Sequence, residues 1–286
     1  MNVKDTIFSK KRTLNIGGKL TELNEPKVMG ILNVTPDSFY RKSRFTSEKE
    51  IIERVTQIIS EKGWIVDIGA YSSRPNAENI SDNKEKERLK FALSVIRKEF
   101  PEIILSLDTF RSSIAEWAVN EYEVNIINDI SGGKLDGNMF NTIARLKVPY
   151  ILMHIRGTPQ TMQQNPFYTN APQEVITELS IKLRELKNLG LTDIIIDPGF
   201  GFGKSIEHNY QILDKVDLFR MFDLPLLVGL SRKSMVYKLL EITPDEALNG
   251  TTTIQTIALL KGADILRVHD VKQAVECIKL MKMLTV

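Results

Sequence analysis

Runs of β-branched and aliphatic residues return along the whole chain, at Val28–Val34, Ile65–Ile68, Ile103–Leu107, Val124–Ile130, Tyr150–Ile155, Ile194–Ile196, Leu226–Leu230 and Ile265–Val268. Each is continuous rather than alternating in polarity, as strands covered on both faces of a parallel sheet require. The stretches between them carry helical spacing instead. Ile51, Ile52, Val55, Ile58 and Ile59 form one stripe, opened by a capping box of Ser47 and Glu50 and closed at Gly63. Ile176, Leu179, Leu183 and Leu186 form another, ending at Gly190, and Ile254, Ile257 and Ala258 a third, ending at Gly262. Weaker helical patterns lie at Ala92–Ile96, Ile114–Val119 and Met139–Leu146. Ahead of these, two short runs between Leu14 and Leu23 flank Gly17-Gly18, which predicts a β-hairpin. Strand and helix alternate eight times without a linker or a shift in composition, which predicts an α/β fold, a (β/α)8 TIM barrel with an N-terminal β-hairpin. The expected boundaries are 1–25 for the N-terminal segment and hairpin, part of the same domain, and 26–286 for the barrel domain.

Composition narrows the class. A length of 286 residues suits one large α/β barrel as well as it suits two smaller domains. Lys plus Arg number 38 against 36 Asp plus Glu, and the basic residues are scattered, so no nucleic-acid footprint is expected. The lone cysteine, Cys277, excludes an intramolecular disulfide framework and sits in a helix-like run with Val275, Ile278 and Met281, where packing is its expected role. Residues Met1 to Gly18 contain no apolar signal region, and no apolar stretch approaches membrane-spanning length, so a cytoplasmic, membrane-free location is expected.

Polar groups gather at one end of every predicted strand. The first run ends in Asn33-Val34-Thr35-Pro36-Asp37-Ser38-Phe39, the second in Asp67-Ile68-Gly69 ahead of Ser72-Ser73-Arg74-Pro75, and the third in Asp108-Thr109. The next three end in Asn128-Asp129, Met153-His154 and Asp197-Pro198-Gly199, and the last two lead into Ser231-Arg232-Lys233-Ser234 and Arg267-Val268-His269-Asp270. Catalytic groups of a barrel come from the C-terminal strand ends. Acceptors (Asp108, Asp197), an amide (Asn128) and cations (Lys233, Arg267) together suit a polar heterocycle joined to a polyanion. Asp197 suits the guanidinium-like edge of an aminopyrimidinone, and Lys233 its carbonyl side.

Plainer roles compete for several of these residues. Asp67, Asp108 and Asp129 would serve equally as helix N-caps. Gly199-Phe200-Gly201-Phe202-Gly203-Lys204 fits neither the dinucleotide fingerprint nor the Walker pattern, and is expected to be a flexible loop carrying aromatic rings beside the pocket. His154 is expected to be a satisfied strand-end residue, and His208 exposed or a helper at a helix start. His269 shares its strand face with Arg267 and is expected to be functional. The histidines and the cysteine have no zinc-ligand spacing.

Together, N-V-T-P-D-S-F at Asn33–Phe39, D-P-G-F-G-F at Asp197–Phe202, S-R-K-S at Ser231–Ser234 and R-V-H-D at Arg267–Asp270 resemble the signatures of the dihydropteroate synthase family, with support from Asn128–Gly133 and Leu152–His154. The resemblance runs from about Leu14 to the C-terminus. It implies a folate-pathway transferase that joins a dihydropterin methylene group to p-aminobenzoate and expels pyrophosphate, in a dissociative substitution that needs no strong general base. It further implies catalytic roles for Asp108, Lys233, Arg267 and His269, and a pterin slot of Asp108, Asn128, Met153, Asp197, Gly229 and Lys233. A pyrophosphate pocket of Asn33, Arg267 and His269 follows, with Mg²⁺ bridging Asn33 and the phosphates. The p-aminobenzoate site would use Phe39, Ser73, Arg74, Pro75, Phe202, Lys233 and Ser234, and the protein would be a homodimer through its outer helices. Two loops depart from the family pattern: Tyr40-Arg41-Lys42-Ser43 stands where S-D-G-G is usual, and Ala70-Tyr71-Ser72-Ser73-Arg74-Pro75-Asn76 where G-E-S-T-R-P-G is usual. Rival readings are a methyltetrahydrofolate:corrinoid methyltransferase-like domain, against which the anion trio argues, a non-catalytic pterin-binding barrel, and, more remotely, a Schiff-base aldolase centred on Lys233.

Overall fold

The structure is a computed structural model and describes residues 13–35, 47–71 and 80–284. A two-stranded antiparallel hairpin, β1 (Thr13–Ile16) and β2 (Lys19–Glu22), turns through Gly17 and Gly18, both at positive φ. Strands and helices then alternate: β3 (Lys27–Asn33), α1 (Glu48–Ser60), β4 (Ile65–Gly69), α2 (Asp82–Glu99), β5 (Ile104–Asp108), α3 (Ser112–Tyr122), β6 (Ile126–Asp129), α4 (Met139–Leu146), β7 (Tyr150–Met153) and α5 (Ala171–Asn188). There follow β8 (Ile194–Asp197), α6 (Ile206–Asp214), a 3-10 helix (Val216–Phe222), β9 (Leu227–Val228), α7 (Ser234–Tyr237), α8 (Leu248–Leu260), β10 (Ile265–Val268) and α9 (Val271–Lys282). The sheet is parallel throughout, in the order β8-β7-β6-β5-β4-β3-β10-β9, and a bridge between Ile196 and Leu226 joins its two ends into a barrel.

Side chains alternate across each strand, and here both faces are buried. The outward set, including Leu32, Ile68, Leu107, Ile127, Leu152, Ile196 and Val268, packs against the helices. The inward set starts apolar: Met29, Ile65, Ile104, Ile126, Ile151, Ile195, Leu227 and Ile265 fill the lower interior, and Leu14, Ile16 and Leu23 of the hairpin region join that cluster. Two residues further along each strand, the inward positions are Ile31, Asp67, Ser106, Asn128, Met153, Asp197, Gly229 and Arg267. One step up the barrel therefore converts an oily plug into a polar floor.

The capping box at α1 is formed as expected, with Ser47 accepting from the Glu50 backbone and Glu50 returning to the Ser47 N–H. Gly63 does not close α1; Lys62 takes the left-handed conformation, at φ 70°. Gly63 is needed for space, because a Cβ there would stand 2.5 Å from Ile58 Cγ2 and 2.9 Å from the Ile58 carbonyl. Gly190 (φ 83°) and Gly262 (φ 97°) do hold the left-handed turns after α5 and α8. Some strands are shorter than their apolar runs. At the start of β9 the Asp264 carboxylate takes the Leu226 N–H at 2.7 Å, and the strand itself covers Leu227 and Val228. Among the described residues, no helix is long and apolar enough to cross a membrane.

Candidate active site

At the C-terminal mouth, Asn33, Gly69 and Asp108 lie side by side in the register of β3, β4 and β5. A Cβ on Gly69 would lie 3.3 Å from Asp108 Cβ and 3.7 Å from Asn33 Oδ1, so this glycine lets the amide and the carboxyl approach over bare backbone. Arg267 reaches across from β10. Its Nε donates to Asp67 Oδ2 at 2.6 Å and its Nη2 to Asp108 Oδ2 at 2.7 Å, while Asn128 Nδ2 donates to the same Asp67 oxygen at 3.1 Å. One guanidinium thus serves two carboxylates in a desolvated place. Burial raises the Asp108 carboxyl, against the pull of Arg267 and with help from the Asp67 charge, to about 7. Burial works against the charge on the Arg267 guanidinium, but Asp67 and Asp108 outweigh it and hold the group charged. Asp67 Oδ1 and Asn128 Oδ1 are buried without a hydrogen-bond partner among the described residues, which leaves acceptors for a donor-rich ligand.

Beside this clamp stand Asp197 and Lys233. Asp197 accepts the Gly199 N–H at 2.8 Å. Burial raises its carboxyl, and the opposing influence of Lys233, Arg267 and Lys204 puts it within the same field as the clamp. Lys233 lies between Gly201 and Gly229, whose absent Cβ atoms would each stand 3.7 Å from its Nζ. Its ammonium donates to the Phe200 carbonyl and sits 4.6 Å from the Phe202 ring centroid. Desolvation lowers Lys233 to about 8, the Asp197 charge working against the shift. Ser234 follows as the first residue of α7. Met153, 3 % exposed, belongs with Ile130, Ile155 and Met162 to a small apolar cluster against which Phe110 and Phe202 pack, a flat-sided wall suited to a ring.

His269 closes the third side. Ser231 Oγ accepts its backbone N–H at 3.2 Å and lies 3.0 Å from its Nδ1. Donation of the hydroxyl proton to Nδ1 puts the imidazole proton on Nε2. Burial and the neighbouring Arg267, Arg54 and Arg232 push the ring down to about 3, so it is a neutral hydrogen-bonding group, not a second cation. Arg54 of α1 pins the His269 carbonyl at 2.7 Å, and Arg232 forks onto Asp270 at 2.8 and 2.9 Å.

The expected residues Asn33, Asp108, Asn128, Met153, Asp197, Phe202, Gly229, Lys233, Ser234, Arg267 and His269 all come from the C-terminal strand ends or the loops that follow them. Phe39, Ser73, Arg74 and Pro75, with the departures Arg41 and Asn76, lie outside the described residues. Asp67, Asp108 and Asp129 are not helix caps: Ser81, Arg111 and Asn138 stand at those positions. Asp129 instead braces its own turn, accepting from the Ser131 and Gly133 backbone and from the Tyr150 hydroxyl. His154 is the satisfied residue expected, between Glu178 at 3.1 Å and Lys204 at 3.0 Å, and His208 helps cap α6. The loop after β8 is not loose, because the buried Lys204 ammonium collects the carbonyls of Gly199 and Phe202. Asp67, Ser231 and Arg54 were missed as site residues. Asp67 and Ser231 carried a signal as polar groups at strand ends, whereas Arg54, inside the α1 pattern, carried none.

Fold and site define the class: a parallel barrel enzyme whose C-terminal mouth gathers buried carboxylates, an amide, a lysine and an arginine. The family model of pterin-binding enzymes matches residues 29–269. The dihydropteroate synthase of Haemophilus influenzae is 37% identical over 268 residues, covering 93% of this chain and 96% of that protein. A Yersinia pestis dihydropteroate synthase solved with a sulfonamide drug superposes with a TM-score of 0.90 at 33% identity, covering 96% and 99% of the two chains. The Thermus thermophilus enzyme in complex with 4-aminobenzoate gives 0.85 at 31% identity, covering 96% and 100%. The chain belongs to the pterin-binding enzyme family and, within it, to the dihydropteroate synthases.

Proposed function

We infer that this chain condenses 6-hydroxymethyl-7,8-dihydropterin pyrophosphate with p-aminobenzoate, giving 7,8-dihydropteroate and pyrophosphate. The observation that carries the reading is one mouth holding both the Asp67–Arg267–Asp108 clamp and the Asp197–Lys233 pair. The pterin binds with its amino edge on Asp197, its carbonyl side toward Lys233, and Asn128 and Asp108 along its rim, with Met153 against its face. Arg267, Asn33 and the Nε2 proton of His269 receive the pyrophosphate. The methylene C–O bond breaks and its electron pair leaves on the pyrophosphate. Positive charge then spreads over the ring beside the Asp108 carboxylate. The arylamine lone pair forms the new C–N bond, and the nitrogen sheds a proton to solvent. An aniline is already unprotonated near neutrality, so no base is required. Phe202, Lys233 and Ser234 form the described part of the p-aminobenzoate side.

The described residues contain no group of three or more His, Cys, Asp or Glu side chains able to hold a metal. A magnesium ion carried in by the phosphates needs fewer protein ligands, and the Asn33 amide oxygen beside Asp108 fits that arrangement. Asn33 would hold it, and when bound it would neutralise charge on the departing pyrophosphate. Exposed Leu239 and Leu240, just after α7, and Ile257 and Leu260 of α8 support a homodimer through outer helices, and a cytoplasmic setting is proposed with it.

Release of pyrophosphate on mixing both substrates tests the reaction, and no release with either substrate alone or with both would overturn it. Asp108→Asn is expected to slow turnover about a hundredfold while pterin pyrophosphate affinity stays within about threefold; turnover equal to the parent enzyme's contradicts the role given to Asp108.

A further inference from the structure

Five successive backbone carbonyls in the loop after β8 each accept from a side chain. Lys204 Nζ takes Gly199 O at 2.8 Å and Phe202 O at 3.0 Å; Lys233 Nζ takes Phe200 O; Gln163 Nε2 takes Gly201 O at 2.8 Å; the Tyr168 hydroxyl takes Gly203 O at 2.9 Å. Lys204 also meets His154 Nδ1 at 3.0 Å and His154 O at 3.4 Å, which fastens this loop to the one after β7. The two loops lie in direct contact. A Cβ on Gly199 would be 1.9 Å from the His154 carbonyl, and one on Gly203 2.3 Å from the Arg156 carbonyl.

Lys204 is 2 % exposed, and among the described residues every hydrogen bond it makes goes to a carbonyl or an imidazole nitrogen, not to a carboxylate. Burying an ammonium this way is unfavourable unless what it organises compensates. What it organises is the short stretch between two of its acceptors. That stretch holds the Phe200 carbonyl that orients the Lys233 ammonium and the Phe202 ring that this ammonium faces. The strands beneath carry Asp108, Asn128 and Asp197, and of these three only Asp197 bonds the loop, accepting the Gly199 N–H at its first residue.

We propose that Lys204 is a positioning residue for the second substrate, locking the Gly199–Gly203 loop so that Phe202 and Lys233 are set for the arylamine before it arrives. This rests on the reading of the site as a dihydropteroate synthase site with Phe202 on the p-aminobenzoate side. Lys204 touches neither substrate. Its loss lets the loop ride away from the His154 carbonyl; of the pterin contacts it reaches only the orientation of Lys233 and the Gly199 bond to Asp197, while Asp108, Asn128 and the Asp197 carboxylate stay on their strands.

The test compares the intact enzyme with Lys204→Met and Tyr168→Phe, the second of which cuts another tie to the loop with no change of charge. Pyrophosphate release gives KM for p-aminobenzoate, and calorimetry gives pterin pyrophosphate affinity without the second substrate. Lys204→Met is expected to raise KM for p-aminobenzoate about tenfold, Tyr168→Phe about threefold, with pterin pyrophosphate affinity within about twofold in both. A KM for p-aminobenzoate unchanged in both variants overturns the proposal, as does a loss of pterin affinity as large as the rise in KM. Should Lys204→Met fail to fold, Tyr168→Phe decides by the same criteria. Absence of turnover in the unsubstituted enzyme would overturn the underlying functional reading instead, so the two failures are distinct.

Discussion

The lower and upper halves of the barrel interior come from the same strands, two residues apart, and share almost no chemistry. Below, Ile65, Ile126, Ile151, Ile195 and Ile265 pack in one cluster with the hairpin's Leu14 and Ile16. Above, Asp67, Asn128, Asp197 and Arg267 occupy the corresponding inward positions. The connecting loops divide in the same way. At the lower end, Lys62, Glu123, Lys147 and Asp223 hold left-handed turns in exposed positions. At the upper end, Gly199 and Gly203 hold such turns where a Cβ would strike a neighbouring carbonyl. The lower half asks for volume and backbone shape, which many residues supply. The upper half asks for particular atoms at particular points.

Arg267→Met tests this division most severely. It leaves Asp67, with no exposed side-chain surface, and Asp108 facing each other without their cation. It also removes the fork that receives the pyrophosphate. The expected fall in kcat/KM is about a thousandfold, read by pyrophosphate release, and a variant that keeps a tenth of its activity would break the assignment of the upper half. Ile126→Ala probes the lower half. Ile126 is fully buried, so stability should fall by about 2–5 kcal/mol in urea titration. At a temperature where the variant stays folded, kcat and both KM values should be unchanged. A change in KM would show that the two halves are not separable.

The halves also differ in how far the chain itself discloses them. Ser47 and Glu50, Gly190, Gly262 and the eight apolar runs are local signals, complete within a few residues, and they map onto helix ends and strands. The end of each strand was legible for the same reason, since the barrel obliges polar groups at that end to converge. The partnerships there were not legible. Arg267 meets Asp67 across 200 positions of sequence, Arg54 meets His269 across 215, and Lys204 meets His154 across 50. A lysine in a glycine-rich stretch reads as an exposed or phosphate-facing group, and only the packed loops show that its ammonium is buried under carbonyls. Asp67 and Asp108 carry the same local context of an aspartate at a strand end. The register decides that one is fully buried and the other reaches the mouth.

Titration sharpens the contrast within the upper half. The Asp108 carboxyl stands at about 7 against an ordinary 3.8, so between these values the folded chain holds a proton that the unfolded chain gives up. Asp108 therefore favours the folded state at low pH, and this contribution is lost as pH rises toward 7. His154 and His269, both pushed down to about 3 by burial, act in the opposite sense below the usual imidazole range. The difference between parent and Asp108→Asn isolates the aspartate. Urea melts should show the variant gaining on the parent as pH rises from about 5 to about 7, by at most about 1.4 kcal/mol per pH unit. Because the anion stabilises the methylene cation, kcat/KM of the parent should rise over the same range. A stability difference flat across that range would place the Asp108 proton elsewhere.

The smallest effect is expected where the lower half is most permissive. Lys147 ends α4 at φ 54°, exposed, with its N–H on the Ile143 carbonyl at 2.9 Å. An L side chain in this conformation costs about 1 kcal/mol or a little more, which glycine avoids. Glycine also loosens the unfolded chain and cancels part of that gain. Lys147→Gly should therefore raise stability by about 0.5 kcal/mol, visible as a small upward shift in thermal midpoint, with kcat and KM unaltered. The exchange works here because the side chain is exposed. At Gly199 the reverse exchange has no such room, since the His154 carbonyl already occupies the place of the Cβ. An unchanged or lower midpoint for Lys147→Gly would mean that the lysine side chain contributes contacts outweighing its backbone strain, and that the lower end is less tolerant than its exposure implies.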